Sequence, residues 1–335
     1  MKILKYIGIL LGFLVIGYFS GPRPPKPIYT SDLPDIPDQS NELEKYIASL
    51  EQKDQPLKEG NEAKIIWYND SLKSKTPFSI VYLHGFSASH EEGKPIHEWM
   101  AKTFGMNLYL ARLADHGRKK EDALSEFTAQ KAWDDAKMAL SIGKKIGDKV
   151  ILVSTSTGGT LSLMLCAQYA DIAAQILMSP NIAIKDPTSV ILNDPWGLQI
   201  ARKVIGGEFK IASDTSAIYG KYWDKKYRIE ALVQLEELIE TSMNKNTFSA
   251  IHQPTLLLYY YKDETHQDPV VRVDAMKKMF SELAIPPDKK REIALPHVGE
   301  HVLGGYIKSK DLESVKREIE SYLQSVLNLK KVSNN

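Results

Sequence analysis

Three stretches hold side chains able to do chemistry together. Val150-Ile151-Leu152-Val153-Ser154-Thr155-Ser156-Thr157-Gly158-Gly159 runs from a β-branched segment through small residues into a helical one, with Ser156 at the junction. In the stretch Lys262 to Val271, Asp263, Glu264 and Asp268 compete as acids in the loop after an apolar strand. The third, Leu295-Pro296-His297-Val298-Gly299-Glu300-His301-Val302, offers two histidines. A hydroxyl nucleophile needs a general base, and the base needs a carboxylate to orient it, so these residue types are the parts of covalent acyl transfer. His297 and His301 are four apart, a spacing that on a helix would offer two imidazoles to a metal. Pro296 and Gly299 make the stretch a loop instead, and no H-E-x-x-H occurs.

Positioning such parts requires a rigid scaffold, and the hydrophobic pattern supplies one. Short β-rich runs predict strands at 63–67, 78–83, 107–112, 149–154, 174–178, 255–261 and 291–295. Helical patterns lie between them at 96–104, 129–146 and 158–169, with a last amphipathic helix at 310–327. This alternation is the βαβ rhythm of an α/β protein, a mostly parallel doubly wound sheet with helices on both faces. More than seventy residues separate the strand at 174 from that at 255, far beyond the ~2 to 6 residues of a usual βα connection. They form an inserted helical subdomain, expected at 181–253, with one amphipathic helix around Ile229 to Ile239 and another from Trp196 to Val204.

The strand, small-residue turn and helix around Ser156 resemble the nucleophile elbow of the α/β-hydrolase superfamily, G-x-S-x-G. The first glycine is replaced by Ser154, a departure that adds a side chain where strand and helix pack closest. The elbow puts the backbone N–H of Thr157 at a helix start, facing the substrate carbonyl. Tyr82-Leu83-His84-Gly85-Phe86-Ser87 resembles the superfamily's His-Gly oxyanion loop, which implies that Phe86 gives the second N–H. Arg112-Leu113-Ala114-Asp115-His116-Gly117 is similar to a His-Gly turn of the monoacylglycerol-lipase and serine-aminopeptidase branch, with His116 structural. The superfamily's chain order is serine, acid, histidine; with Asp268-Pro269-Val270-Val271 resembling its acid motif and Gly299-Glu300-His301-Val302 its histidine string, the resemblance implies Ser156 as nucleophile, Asp268 as acid with Asp263 in reserve, and His301 as base.

The resemblance covers roughly residues 60–328 and implies a serine hydrolase of small-molecule acyl esters, carboxylesterase- or lipase-like, needing no metal or organic cofactor. A peptidase or amidase on the same triad is the alternative reaction. A non-catalytic, membrane-tethered binding protein of the same fold is the alternative from another class, and Ser154 is its best support.

Composition narrows the rest. Forty-three Lys and Arg against forty-two Asp and Glu leave a net charge of +1, which argues against a nucleic-acid surface. One cysteine, Cys166, excludes an intrachain disulfide and a zinc ribbon. Lys2 and Lys5 precede an apolar run from Tyr6 to Phe19, and the ~17 uncharged residues before Arg23 would reach ~25 Å as a helix. Residues 1–21 therefore read as a membrane anchor with the catalytic domain exported, or alternatively as a signal cleaved on secretion. The proline-dense 22–40 reads as a stiff linker, and 41–335 as the hydrolase domain with its helical cap.

Overall fold

The computed structural model describes residues 2–332, with side chains from Lys5 onward. The side chain of Lys2 and residues 333–335, the end of the expected hydrolase domain, lie outside the described residues. Among the described residues nine strands form: β1 Lys64–Ile66, β2 Thr76–Leu83, β3 Asn107–Leu110, β4 Gly147–Thr155, β5 Ala174–Met178, β6 Phe209–Ile211, β7 Lys226–Arg228, β8 Thr255–Tyr260 and β9 Lys290–Leu295. Eleven α-helices accompany them among the described residues: α1 Lys2–Phe19, α2 Ser40–Lys53, α3 Ile96–Phe104, α4 Ala129–Ile146, α5 Thr157–Gln168, α6 Gly197–Ile205, α7 Ala217–Tyr222, α8 Ile229–Ser242, α9 Lys245–Ser249, α10 Val273–Glu282 and α11 Leu312–Ser325.

Seven strands make one sheet in the order β1-β3-β2-β4-β5-β8-β9, parallel throughout except for β1 at the edge. The central strands are apolar without a polar alternation because both faces are covered. In β2, Val81 and Leu83 enter the core shared with α4 and α5, while Ile80 and Tyr82 enter the core shared with α3 and α11. A period of two thus sorts one unbroken run into two hydrophobic layers. Helix α5 is apolar on every side because it is buried on every side, from Leu161 to Cys166. Burial pushes the Cys166 thiol well above its ordinary range, which makes it an unreactive packing group.

The segment between β5 and β8 is an inserted unit, but it is not purely helical. Besides α6 to α9 it contains an antiparallel ribbon in which Phe209 faces Arg228 and Ile211 faces Lys226. The pattern hid this ribbon because each strand has only three residues, too few to show alternation. Helix α8 is knitted into the main core through Ala231, Leu235, Leu238 and Ile239.

The proline-dense stretch is extended, as its composition requires, but it is not a free spacer. It lies along the body: the Trp133 indole donates to the Thr30 carbonyl at 2.9 Å, Tyr29 Oη and Thr241 Oγ1 are 2.7 Å apart, and Ile36 is buried in the core. Ser40 already belongs to α2, so the linker ends one residue early. Helix α1 stands apart, with Tyr6 to Phe19 exposed; its end is held where the Trp196 indole donates to the Gly17 carbonyl at 2.9 Å. Among the described residues no helix is long and apolar enough to cross a membrane.

Candidate active site

Ser156 occupies the turn from β4 into α5 with φ 53° and ψ −119°, a strained conformation for a residue with a side chain. The surroundings hold it there. Its N–H donates to the Met178 carbonyl at 3.1 Å, and its own carbonyl accepts from Gly159, Thr160 and Asn181. Gly158 is required at this crossing, since a Cβ would lie 1.9 Å from the Leu83 carbonyl oxygen. At the other flank Ser154 fits: it is fully buried, and its hydroxyl reaches the Ile176 carbonyl at 3.4 Å.

Asp268 and His301 come from loops after β8 and β9 and meet beside this turn. His301 Nδ1 lies 2.8 Å from Asp268 Oδ2, while Asp268 Oδ1 accepts the N–H groups of Val270 at 2.8 Å and Val271 at 3.0 Å. Burial alone would raise the Asp268 carboxyl, but the charge and hydrogen bond of His301 and the two N–H donors hold it below the usual range. Burial would likewise depress His301, yet Asp268 holds it above 6.5. His301 Nε2 is buried with no hydrogen-bond partner among the described residues, so its bond to Ser156 is not made here. Both residues line one cavity of about 480 Å³. Such contacts often close only when substrate binds.

The competing candidates lie elsewhere. Asp263 is exposed and tied up by Thr265 and His266 within its own turn, and Glu264 accepts from the Tyr261 hydroxyl. His297 is exposed. No group of three or more His, Cys, Asp or Glu side chains able to hold a metal occurs among the described residues.

Phe86 lines the cavity of Ser156, and Thr157 follows Ser156 as the first residue of α5. Two neutral histidines brace the Phe86 loop. His84 Nε2 accepts from the Leu113 N–H at 3.0 Å, and Nδ1 faces the Gly85 carbonyl at 2.9 Å. His116 Nε2 accepts from the Ser87 N–H at 3.0 Å, with Nδ1 2.8 Å from the Ala114 carbonyl. Burial holds both rings below 6.5, His116 at about 4, so they stay uncharged lone-pair acceptors. The insertion roofs the cavity with Tyr219, Trp223, Tyr227, Leu232 and Leu235, and the ion pair of Lys308 with Asp214, 2.5 Å apart, adds a polar rim.

The fold that carries this site recurs in known structures. The chain superposes with a TM-score of 0.64 on one of the metagenome-derived lipolytic enzymes LipS and LipT, at 15% identity over 80% of this chain and 99% of that one. It has the α/β-hydrolase fold. A monoacylglycerol lipase from Paleococcus ferrophilus matches at 0.55 and 15% identity, over 78% of this chain and 97% of that one. The ferulic-acid-bound Est1E from Butyrivibrio proteoclasticus matches at 0.53 and 18%, over 80% and 95%. No protein-family model and no curated protein matches the sequence.

One group in the α/β-hydrolase site escaped sequence reading. Glu92 sits buried beside Gly85 in the same cavity. In the string Ser89-His90-Glu91-Glu92-Gly93 nothing in the sequence distinguishes it from Glu91, because only the tertiary fold brings its side chain to the cavity of Ser156.

Proposed function

We propose that this protein is a serine hydrolase that cleaves carboxylic esters through a covalent acyl-enzyme. The observation that carries the reading is His301, bonded to Asp268 at Nδ1 and unpartnered at Nε2 in the cavity that also holds Ser156. Ser156 Oγ attacks the acyl carbon as its proton passes to His301 Nε2, and the tetrahedral oxyanion is met by the N–H groups of Phe86 and Thr157. His301 then returns the proton to the departing alkoxide as the carbon–oxygen bond breaks. Water, deprotonated by the same histidine, attacks the acyl-enzyme and releases the acid and Ser156. Asp268 stays ionised and holds the imidazolium. No step calls on a metal or organic cofactor.

The Tyr, Trp and Leu wall supplied by the insertion, acting as a cap, supports an apolar acyl group, and the cavity lies within the ~300–1,000 Å³ usual for small-molecule sites. Lipolytic and esterase neighbours support the same substrate class, while amide cleavage on the same triad is a matter of leaving-group protonation. Helix α1, with its exposed apolar side chains, supports a tether that holds the enzyme at an extracytoplasmic membrane surface. The test is fluorophosphonate labelling with p-nitrophenyl butyrate hydrolysis, run on the wild type and Ser156→Ala. Labelling and turnover that both vanish in the variant sustain the reading. Equal turnover in the variant rejects Ser156, and an unlabelled, inactive wild type favours the binding-protein alternative.

A further inference from the structure

The reaction above leaves Glu92 idle, although it lines the cavity that holds Ser156. It lies on the 3-10 turn His90–Gly93 and is 2% exposed. Its Oε1 accepts the Gly85 N–H and, at 3.4 Å, the Tyr82 hydroxyl, which itself lies 2.9 Å from Thr155 Oγ1. Its Oε2 takes no donor among the described residues, and Glu92 lines the cavity shared by Ser156 and His301. A Cβ placed on Gly85 would sit 3.0 Å from Ser156 Cβ and 3.2 Å from Glu92 Oε2. Ser156 Cβ and Glu92 Oε2 therefore both border the space that the missing side chain of Gly85 leaves open.

The turn is clamped in place. A Cβ at Gly305 would fall 2.1 Å from the Glu92 carbonyl oxygen, and His97 Nε2 lies 2.9 Å from the His90 carbonyl. We propose that Glu92 is a further residue of the acyl-transfer site, working as an uncharged acid whose one oxygen fixes the Gly85–Phe86 backbone and whose other presents an O–H to the bound ester. This rests on the serine-hydrolase reading.

Charge logic requires the neutral form. An ionised Glu92 would stand beside the position where the oxyanion develops and oppose it, whereas the protonated acid adds a donor and no charge. The groups facing it are Tyr82 from β2, Tyr219 from α7, and His301 with Asp268 behind it; Glu91 shares its turn, and the Lys308–Asp214 pair and Glu300 lie farther round the cavity. Burial dominates among these influences and pushes the Glu92 carboxyl up to about 8, against the lowering effects of the Gly85 N–H, His301 and Tyr82. Turnover is therefore expected to fall as the pH rises through that range.

The experiment is a pH profile of kcat/KM on p-nitrophenyl butyrate for the wild type, Glu92→Gln and Glu92→Ala, with fluorophosphonate labelling of Ser156 at neutral pH alongside. The wild type is expected to lose roughly tenfold or more between about pH 7.5 and 9.5. Glu92→Gln, which keeps an acceptor for Gly85 and a donor toward the ester, is expected to drop several-fold at neutral pH and to lose the alkaline fall. Glu92→Ala is expected to lose on the order of a hundredfold in kcat. Gln is isosteric, so the decision does not depend on the Ala variant folding. An alkaline fall identical in the wild type and Glu92→Gln overturns the proposal while labelled Ser156 leaves the hydrolase reading intact. An unlabelled, inactive wild type removes both.

Discussion

Gly158 and Leu83 meet at the crossing of α5 over β2 so closely that no side chain fits between them, the 1.9 Å approach being to a backbone oxygen that cannot move aside. Gly158→Ala is therefore expected to displace the elbow, abolish fluorophosphonate labelling and lower stability by ~1–3 kcal/mol or more, read by thermal unfolding. Ser154→Gly, at the other flank, removes only a weak 3.4 Å hydrogen bond and should cost ~1 kcal/mol or less with activity kept within a few-fold. A larger loss of activity in Ser154→Gly than in Gly158→Ala would reverse the account of the elbow.

Triad variants should separate by geometry. Ser156→Ala and His301→Ala are each expected to lower kcat by on the order of a thousandfold or more, and Asp268→Asn comparably. His297→Ala and Asp263→Asn, both at exposed positions, should stay within a few-fold. If Asp263→Asn proved the severe one, the acid would belong to the outer turn.

The acid limb of the pH profile follows from His301. The base works when neutral, and Asp268 holds its imidazolium above 6.5, so kcat/KM of the free enzyme should fall as pH drops through a midpoint higher than 6.5. Asp268→Asn removes that support, leaving burial to dominate, so residual activity should persist to lower pH. The sign for stability is opposite: the pair's contribution through His301 is fully present below the unfolded value near 6.5 and is lost as pH rises through the folded one. Urea unfolding across pH 5 to 9 measures it.

The two bracing histidines make a further expectation. His116→Ala strands the buried Ser87 N–H and is expected to cost ~1–3 kcal/mol. Because that loop carries Phe86, the variant should lose kcat more than it changes KM; an effect confined to stability would place the loop's rigidity elsewhere.

Substrate range and vesicle binding test the proposed apolar acyl site and membrane tether. Deleting residues 1–21 leaves the docked Tyr29 to Ile36 strap in place, so the shortened protein should fold and keep its kcat/KM on soluble esters while losing vesicle co-sedimentation. Each methylene buried against Leu232 and Leu235 is worth ~0.8 kcal/mol, roughly fourfold in kcat/KM, from acetate until the cavity is filled. Falling efficiency beyond butyrate, or a preference for amino-acyl amides, would discard that reading and leave the hydrolase intact.

The sequence by itself determined the strand and helix rhythm, the site of the insertion and the elbow at Ser156, because those depend on local periodicity and on small residues at fixed spacing. By resemblance it also favoured His301 over His297 as base and Asp268, with Asp263 in reserve, as acid. Tertiary structure pairs Asp268 with His301 and gives its carboxyl the Val270 and Val271 N–H groups, while Asp263 folds back on its own turn. It also docked the proline-dense strap, built a ribbon too short to show a period, and carried Glu92 into the cavity of Ser156. Each of these depends on contacts between residues far apart in the chain, such as Trp133 with Thr30 or Glu92 with Gly305, and no local pattern encodes which distant surface a segment will meet.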